Sequence, residues 1–354
     1  MKFAFNVKIN QNSWGGGNSF LKIIYKFLRR EGHNVYFDLS SKDLDAIFII
    51  DPRSNNSTLA FPIIDAINYC LFKNNKTLII HRINECNLKR YNSRIDIDNL
   101  LKKTNKFADH TIFVSKWLKN QKIWAKKNNV NSSVIMNGSD KKIYNTKGKK
   151  YWRKKDKFKI VTHQWSNNWN KGFGYYKKLD NLLDLPYWKS KIQFSFIGNL
   201  PDGLKLKNTK IIKPLNEKLL ASELKKHDGY ITGSKFEPGS NHQNEAALCG
   251  LPLFYIDHSS MPEYCRDYGK SFNKNNFEKN LKLFFINYPI YKKKLKTFQF
   301  NESFVERKYK KLINKIKMNK LTRKRKNHYY LYLYFFADKL KFYFFKIFRK
   351  FINQ

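Results

Sequence analysis

Lys235-Phe-Glu-Pro-Gly-Ser-Asn-His-Gln-Asn-Glu245 is the stretch from which the fold of this 354-residue chain can be read. It follows an apolar run, Gly229 to Thr232, and leads into a segment that stops near Cys249-Gly250. Ser240 with Gln243 forms a capping-box pattern, and Gly250 followed by Pro252 supplies the stop, so the sequence predicts strand, loop and helix in that order. Glu237 falls in the loop and Glu245 more than one turn inside the helix. Two carboxylates so placed address different parts of one extended ligand and do not form a glycosidase-style pair. Taken alone, the same segment also reads as a helix-capping loop with a solvated glutamate.

Working outward, further strands are expected at Phe158 to Thr162, Ile192 to Ile197, Thr209 to Ile212 and Leu253 to Ile256, with helical patterns between them. The first half repeats the layout. Phe3, Phe5, Val7 and Ile9 alternate as in a strand, and Phe20, Ile23, Ile24, Phe27 and Leu28 recur at helical spacing until Gly32. Apolar runs then follow at Ala46 to Ile50, Leu78 to Ile80, Thr111 to Val114 and Val134 to Met136. The basic stretch Asn145 to Asp156 interrupts the pattern and marks a boundary. The expected architecture is α/β: two domains, 1–150 and 151–310, each a parallel, helix-covered sheet, facing a cleft, with 311–354 as a separate tail. About one domain per 150 residues agrees with this division.

Lys plus Arg number 70 against 27 Asp plus Glu, a formal net charge of +43. Such an excess favours polyanionic neighbours, although the crowding of Lys, Asn, Ile, Phe and Tyr is also what an AT-rich genome would give. A hydrophobic share of 42% is enough to offset the ordering entropy, so wholesale disorder is excluded. Cys70, Cys86, Cys249 and Cys265 are far apart and form neither a zinc motif nor a disulfide framework. The N-terminal MKFAFNVKIN is too interrupted for a secretory signal, and no apolar run approaches the ~20 residues that span a bilayer. A cytoplasmic location is expected. In the tail, Arg323-Lys-Arg-Lys326 precedes an aromatic run from Tyr329. On a helix, Leu333, Phe336, Ala337, Leu340, Phe344, Ile347, Phe348 and Phe351 share one face, while Lys339, Lys346, Arg349 and Lys350 lie elsewhere. This basic amphipathic helix suits the interface of an anionic membrane; the other reading is a terminal helix packed on the domain.

Ser13-Trp14-Gly15-Gly16-Gly17-Asn18 sits between the first strand and the first helix. Glycines there allow close backbone approach to a ligand, and the helix N-terminus behind them suits phosphate, but the segment is neither a full dinucleotide fingerprint nor a Walker loop. His81 ends an apolar strand, and His163 and His242 lie near the other candidates. No DxD-type pair stands at a strand end, so a metal-bridged diphosphate has no support in the sequence.

Glu237 and Glu245, seven residues apart in a strand-loop-helix of a second α/β domain, resemble the E-x7-E motif of the retaining group 1 glycosyltransferases, also called family 4. Other segments fall in the expected order: Trp14-Gly15-Gly16-Gly17, His81-Arg82, Val134-Ile-Met-Asn-Gly-Ser-Asp140, Asn170-Lys171-Gly172, Glu245-Ala-Ala-Leu-Cys-Gly-Leu-Pro252 and Met261-Pro-Glu263. The resemblance covers about residues 1 to 310. It implies a GT-B fold of two Rossmann-like domains, a nucleotide-sugar donor held mainly by the second, and no metal or other cofactor. By the same resemblance Lys171, the amides of Gly15 and Gly16 and those of Gly239, Ser240 and Asn241 face the diphosphate. Glu245 accepts the ribose hydroxyls, Glu237 hydroxyls of the donor sugar, and His81 lies beside that sugar. One departure stands out: the family commonly places an Arg about five residues before the Lys, where this chain has Ser166, which leaves Lys171, backbone amides or a residue such as Arg82 to balance the phosphates.

The expected function is therefore transfer of a sugar, with retention, to a glycan or lipid-linked acceptor in cell-envelope polysaccharide or glycolipid synthesis, at the cytoplasmic face of a membrane. Two alternatives stay open: a non-catalytic polyanion or nucleic-acid binder, which explains the charge but not the motifs, and a degenerate homologue that binds nucleotide without turnover. Nucleic acid is the weaker partner, because no base-stacking signature is present.

Overall fold

The computed structural model describes residues 1–10, 15–90, 96–125, 131–318, 321 and 329–352. Among these, the first sheet comprises β1 (Lys2–Phe5), β2 (Asn34–Tyr36), β3 (Ala46–Ile49), β4 (Leu78–Ile83), β5 (His110–Phe113) and β6 (Ser132–Val134), in the order β2-β1-β3-β4-β5-β6. The second comprises β7 (Phe158–Gln164), β8 (Ile192–Gly198), β9 (Thr209–Ile212), β10 (Gly229–Thr232), β11 (Leu253–Ile256) and β12 (Gly269–Phe272), in the order β12-β11-β10-β7-β8-β9. Every pairing is parallel. Helices cover both sheets, so β3, β4, β10 and β11 are buried throughout and read as continuous apolar runs with few polar interruptions.

β2 and β12 are additions to the strands expected from sequence. Asn34-Val-Tyr36 and Gly269-Lys-Ser-Phe272 lie at sheet edges, where one neighbour suffices and the apolar signal is weak. Gly269 is required by pairing, since a Cβ there would stand 1.6 Å from the Leu253 carbonyl oxygen.

From Glu302 onward the chain is arranged differently from the expected division. Helix Glu302–Lys317 straddles residue 310 and packs on the first domain: the Tyr309 ring lies 5.5 Å from Phe20 and 6.4 Å from Phe48, and Arg30 and Glu31 pair with Glu306 and Lys310. The chain returns beside Ser139, whose N–H donates to Phe300 O and whose carbonyl accepts from Glu302 N–H. Gly138 permits this approach, because a Cβ would sit 2.4 Å from Asn301 O.

Helix Tyr329–Ile352 docks on the same domain through Leu331, Phe335 and Phe342, which are buried. Tyr332 donates to Asn68 Oδ1 at 2.7 Å, Lys339 pairs with Asp65 at 2.7 Å, and Lys103 lies 3.7 Å over the Tyr334 ring. Leu333, Phe336, Ala337, Leu340, Phe344 and Ile347, the stripe read from the sequence, face outward instead, with Phe336 and Leu340 49% and 61% exposed. The helix thus has two apolar sides. Side chains at 348–351 and the basic run 323–326 lie outside the described residues. Among the described residues no helix is long and apolar enough to cross a membrane.

Replacing Phe335 by alanine should cost about 3 kcal/mol or more of helix docking. Amide exchange across 329–347 should accelerate while helix Glu302–Lys317 keeps its protection; uniform acceleration would mean that the two helices form one cooperative unit.

Candidate functional site

Loops at the carboxyl ends of β4, β6, β7 and β10 meet around a cleft of about 330 Å³ between the two sheets. Asn84, Glu85, Lys89, Arg90 and Asn137 come from the first domain, with Gly17 and Ser19 from the start of helix Gly15–Arg30. The second contributes Ser166, Asn168, Lys171, Glu237, Asn241 and Glu245, among others.

Lys171 is positioned by a short turn. Asn168 caps Trp169–Lys171 by accepting from Asn170 N–H, and Gly172, at φ 92°, reverses the chain into helix Phe173–Leu182. A Cβ on Gly172 would be 2.3 Å from Gly233 C, so the loops after β7 and β10 touch backbone to backbone. Lys235 N–H donates to Asn170 O at 2.7 Å across the same contact. The Lys171 ammonium thereby reaches Glu237 Oε1 and donates to it. Glu237 is 2% exposed. It follows Phe236, held in the left-handed region at φ 53°, and the segment His258 to Ser260 fixes both: Phe236 N–H donates to His258 Nδ1, Glu237 N–H to Ser259 Oγ, and Ser260 Oγ to Glu237 O. Strain of this kind persists where surrounding structure overdetermines it.

Burial alone would raise the Glu237 pKa, but the ammoniums of Lys171 and Lys89 and the Lys171 hydrogen bond outweigh it and hold the carboxyl at about 2. Glu237 is therefore a fixed anion and no proton donor at neutral pH. His242, beside it, is kept neutral by burial against the pull of Glu237, with Nε2 2.9 Å from Thr232 Oγ1. Glu245 pairs with His163, Oε2 to Nε2 at 2.9 Å. Asn241 is 7% exposed, and both side-chain polar atoms are buried with no partner among the described residues. Ser240 and Gln243 bond to each other, with Gln243 reaching the Ser240 carbonyl, so the helix begins one residue later, at His242. Asn137 Nδ2 donates to Gly239 O at 2.6 Å and pins that loop to the first domain.

Lys171, Glu237, Gly239, Ser240, Asn241 and Glu245 are thus brought to one cleft. Gly15 and Gly16 open the helix whose next residue, Gly17, lines it; Trp14 lies outside the described residues. His81 is not among the lining residues. β4 runs on to Ile83, so His81 is not at the strand end but inside the sheet, fully buried beside Asn105 at 3.3 Å, and burial lowers its pKa to about 3. The strand end that opens on the cleft is Asn84-Glu85. Arg82 is likewise buried, 3.7 Å over the Phe20 ring and donating to Asn137 Oδ1. Sequence reasoning missed Glu85, Lys89, Arg90 and Asn137. Asn137 stood in a quoted segment, but two basic residues in a chain with 70 carry no contrast.

Met261-Pro-Glu263 also joins the domains. Glu263 accepts from the Lys116 and Trp117 N–H groups at 2.8 and 2.7 Å, and Tyr264 OH donates to Val114 O while accepting from Asn137 N–H. Among the described residues no group of three His, Cys, Asp or Glu side chains could hold a metal ion.

No family model and no curated protein matches this sequence. Solved structures do. Anabaena HepE in complex with UDP superposes with a TM-score of 0.63 at 12% identity, covering 88% of this chain and 99% of that one. Sucrose-phosphate synthase from Thermosynechococcus elongatus gives 0.60 at 10%, covering 90% and 99%. The lipopolysaccharide outer core galactosyltransferase WaaB gives 0.61 at 14%, covering 91% and 100%. The chain has the GT-B fold that these proteins share.

Because the folded pKa of Glu237 lies below the ordinary 4.5, the Lys171 pair stabilises fully above that pH and is lost as pH falls toward 2. Glu237→Gln should cost on the order of 3 kcal/mol at pH 7 and far less near pH 2.5, by urea unfolding; an equal loss at both would refute the assignment. Gly172→Ala should destabilise the protein in urea and weaken any ligand of Lys171 together, since a Cβ at φ 92° would force apart the contact with Gly233 that positions Lys171.

Proposed function

We propose that this protein is a glycosyltransferase that moves a sugar from a nucleotide-diphosphate donor, held mainly by the second domain, to an acceptor presented by the first. The observation that carries the reading is the convergence of Lys171, Glu237, Asn241 and Glu245 on one cleft between two GT-B sheets. The fold of structures crystallised with UDP or UDP-glucose supports it. In sugar transfer, positive charge develops at the anomeric carbon and negative charge on the departing diphosphate. Lys171 sits where it can receive the latter. Glu237, ionised and buried, can accept sugar hydroxyls and favour the oxocarbenium-like centre, and Glu245, oriented by His163, can accept the ribose hydroxyls. Asn241 has a donor and an acceptor to offer the same ligand.

The finer reading is that transfer proceeds with retention and without a metal ion, to a glycan or lipid-linked acceptor of the cell envelope. The outward apolar side of helix Tyr329–Ile352, flanked by Lys341 and Lys346, would rest in an anionic membrane interface. A polyanion-binding reading keeps one observation: Lys147, Lys150, Arg153, Lys155, Lys157, Lys159, Lys225 and Lys226 line a groove at the domain linker, away from the cleft residues.

Thermal unfolding with UDP, GDP and ADP tests the reading. One base should stabilise the intact protein, by about 2.7 kcal/mol at a hundredfold excess over Kd, with the shift lost in Glu245→Ala and retained at high salt. Equal shifts from every polyanion, erased by salt, would transfer the case to the linker groove. Transfer activity should survive EDTA. Vesicles containing anionic lipid should retain the intact protein and release a variant with Leu333, Phe336 and Leu340 changed to serine; equal retention would remove the tail from the proposal.

A further inference from the structure

The cations of the cleft come from both domains, and their pairing is uneven. Lys171 is ion-paired with Glu237, whose carboxylate also feels the Lys89 charge. Lys89 and Arg90, on the loop after β4, share the single carboxylate of Glu85, at 3.8 and 3.2 Å. Lys89, Arg90 and Lys171 thus share two carboxylates, Glu85 and Glu237, and Arg90 Nε is buried with no acceptor among the described residues. A cationic donor kept from water costs free energy until an anion reaches it. The loop is also tied to the opposing wall: Asn170 Nδ2 donates to Leu88 O at 3.2 Å and to Lys89 O at 3.4 Å, so Lys89 is held against the turn that carries Lys171. On that wall Ser166 offers a short, neutral side chain.

We propose that Lys89 and Arg90 supply the countercharge for the donor's diphosphate from the first domain, facing Lys171 across the cleft. The inference rests on the nucleotide-sugar reading and deepens it. A guanidinium meets a phosphate with two parallel hydrogen bonds and an ammonium meets it as a point charge, so the two side chains are complementary at one diphosphate. Glu85 then serves to hold both cations in place and yields them as the phosphates arrive. Because the leaving group carries the charge that develops in the transition state, these residues act on turnover as well as on binding. The diphosphate also becomes a bridge between domains.

The test compares each nucleoside diphosphate with its nucleoside, UDP with uridine, GDP with guanosine and ADP with adenosine, by calorimetry on the full chain. For the base that binds, Lys89→Gln combined with Arg90→Gln should weaken the diphosphate by at least about tenfold, as lost charge-assisted hydrogen bonds require. The nucleoside should change less than about twofold, since the base and ribose contacts lie elsewhere. Adding Ser166→Arg to the double variant should restore part of the diphosphate affinity. Unchanged diphosphate binding overturns the proposal and leaves the glycosyltransferase reading standing. Equal loss of diphosphate and nucleoside overturns it too, since the residues would then only support the loop. If no nucleotide binds the unmodified protein, both readings fall together.

Discussion

The backbone contact between Gly172 and Gly233 is the constraint on which the cleft depends. Two loops that touch without side chains between them bring an ammonium on one within reach of a carboxylate on the other. A buried carboxylate is tolerated only when it is paired and bonded, so Glu237 could not occupy its place if the loops stood an ångström or two further apart. The strain at Phe236 and the bonds from Ser259 and Ser260 act in the same direction, aiming the carboxylate before any ligand is considered.

The second level of organisation is the seam between domains. Apolar residues of both domains run into one buried cluster there, and hydrogen bonds fix its geometry: Asn137 to Gly239, Tyr264 to Val114, Glu263 to two helical N–H groups. Glu263 supplies a negative charge to the positive end of a short helix on the opposite domain. Hydrogen bonds are exacting in geometry, which suits two bodies that must present their loops to one ligand.

The fold was legible because buried parallel strands advertise themselves as apolar runs, and β10 and β11 fall where those runs lie. The edge strands β2 and β12 were hidden because an edge buries less and tolerates Asn, Lys and Ser. Glu237 and Glu245 stood out because their spacing resembles the E-x7-E motif and one loop and one helix carry both. His81 was misplaced for a simple reason: the apolar run ends at Ile80, but the strand continues through His81 and Arg82, whose polar atoms are buried against Asn105 and Asn137. Lys89 and Arg90 had no signature, because cationic side chains are everywhere in this chain and only three dimensions single out two of them. The tail was read as amphipathic with one apolar face. It has two, since the docked residues Leu331, Phe335 and Phe342 are as apolar as the outward stripe.

The return of the chain at Asn301 has a mechanical consequence. The polypeptide passes between the domains twice, once through the linker after Tyr144 and again at Phe300-Asn301, and the second passage is bonded to Ser139, a few residues before the first. Two strands running side by side behave as a strap. Relative rotation of the domains would have to break the bonds at Ser139 or force a Cβ-free contact at Gly138 apart. The loops that face each other across the cleft are therefore held in register by two chain crossings bonded to one another, where a single linker would leave the domains free to turn.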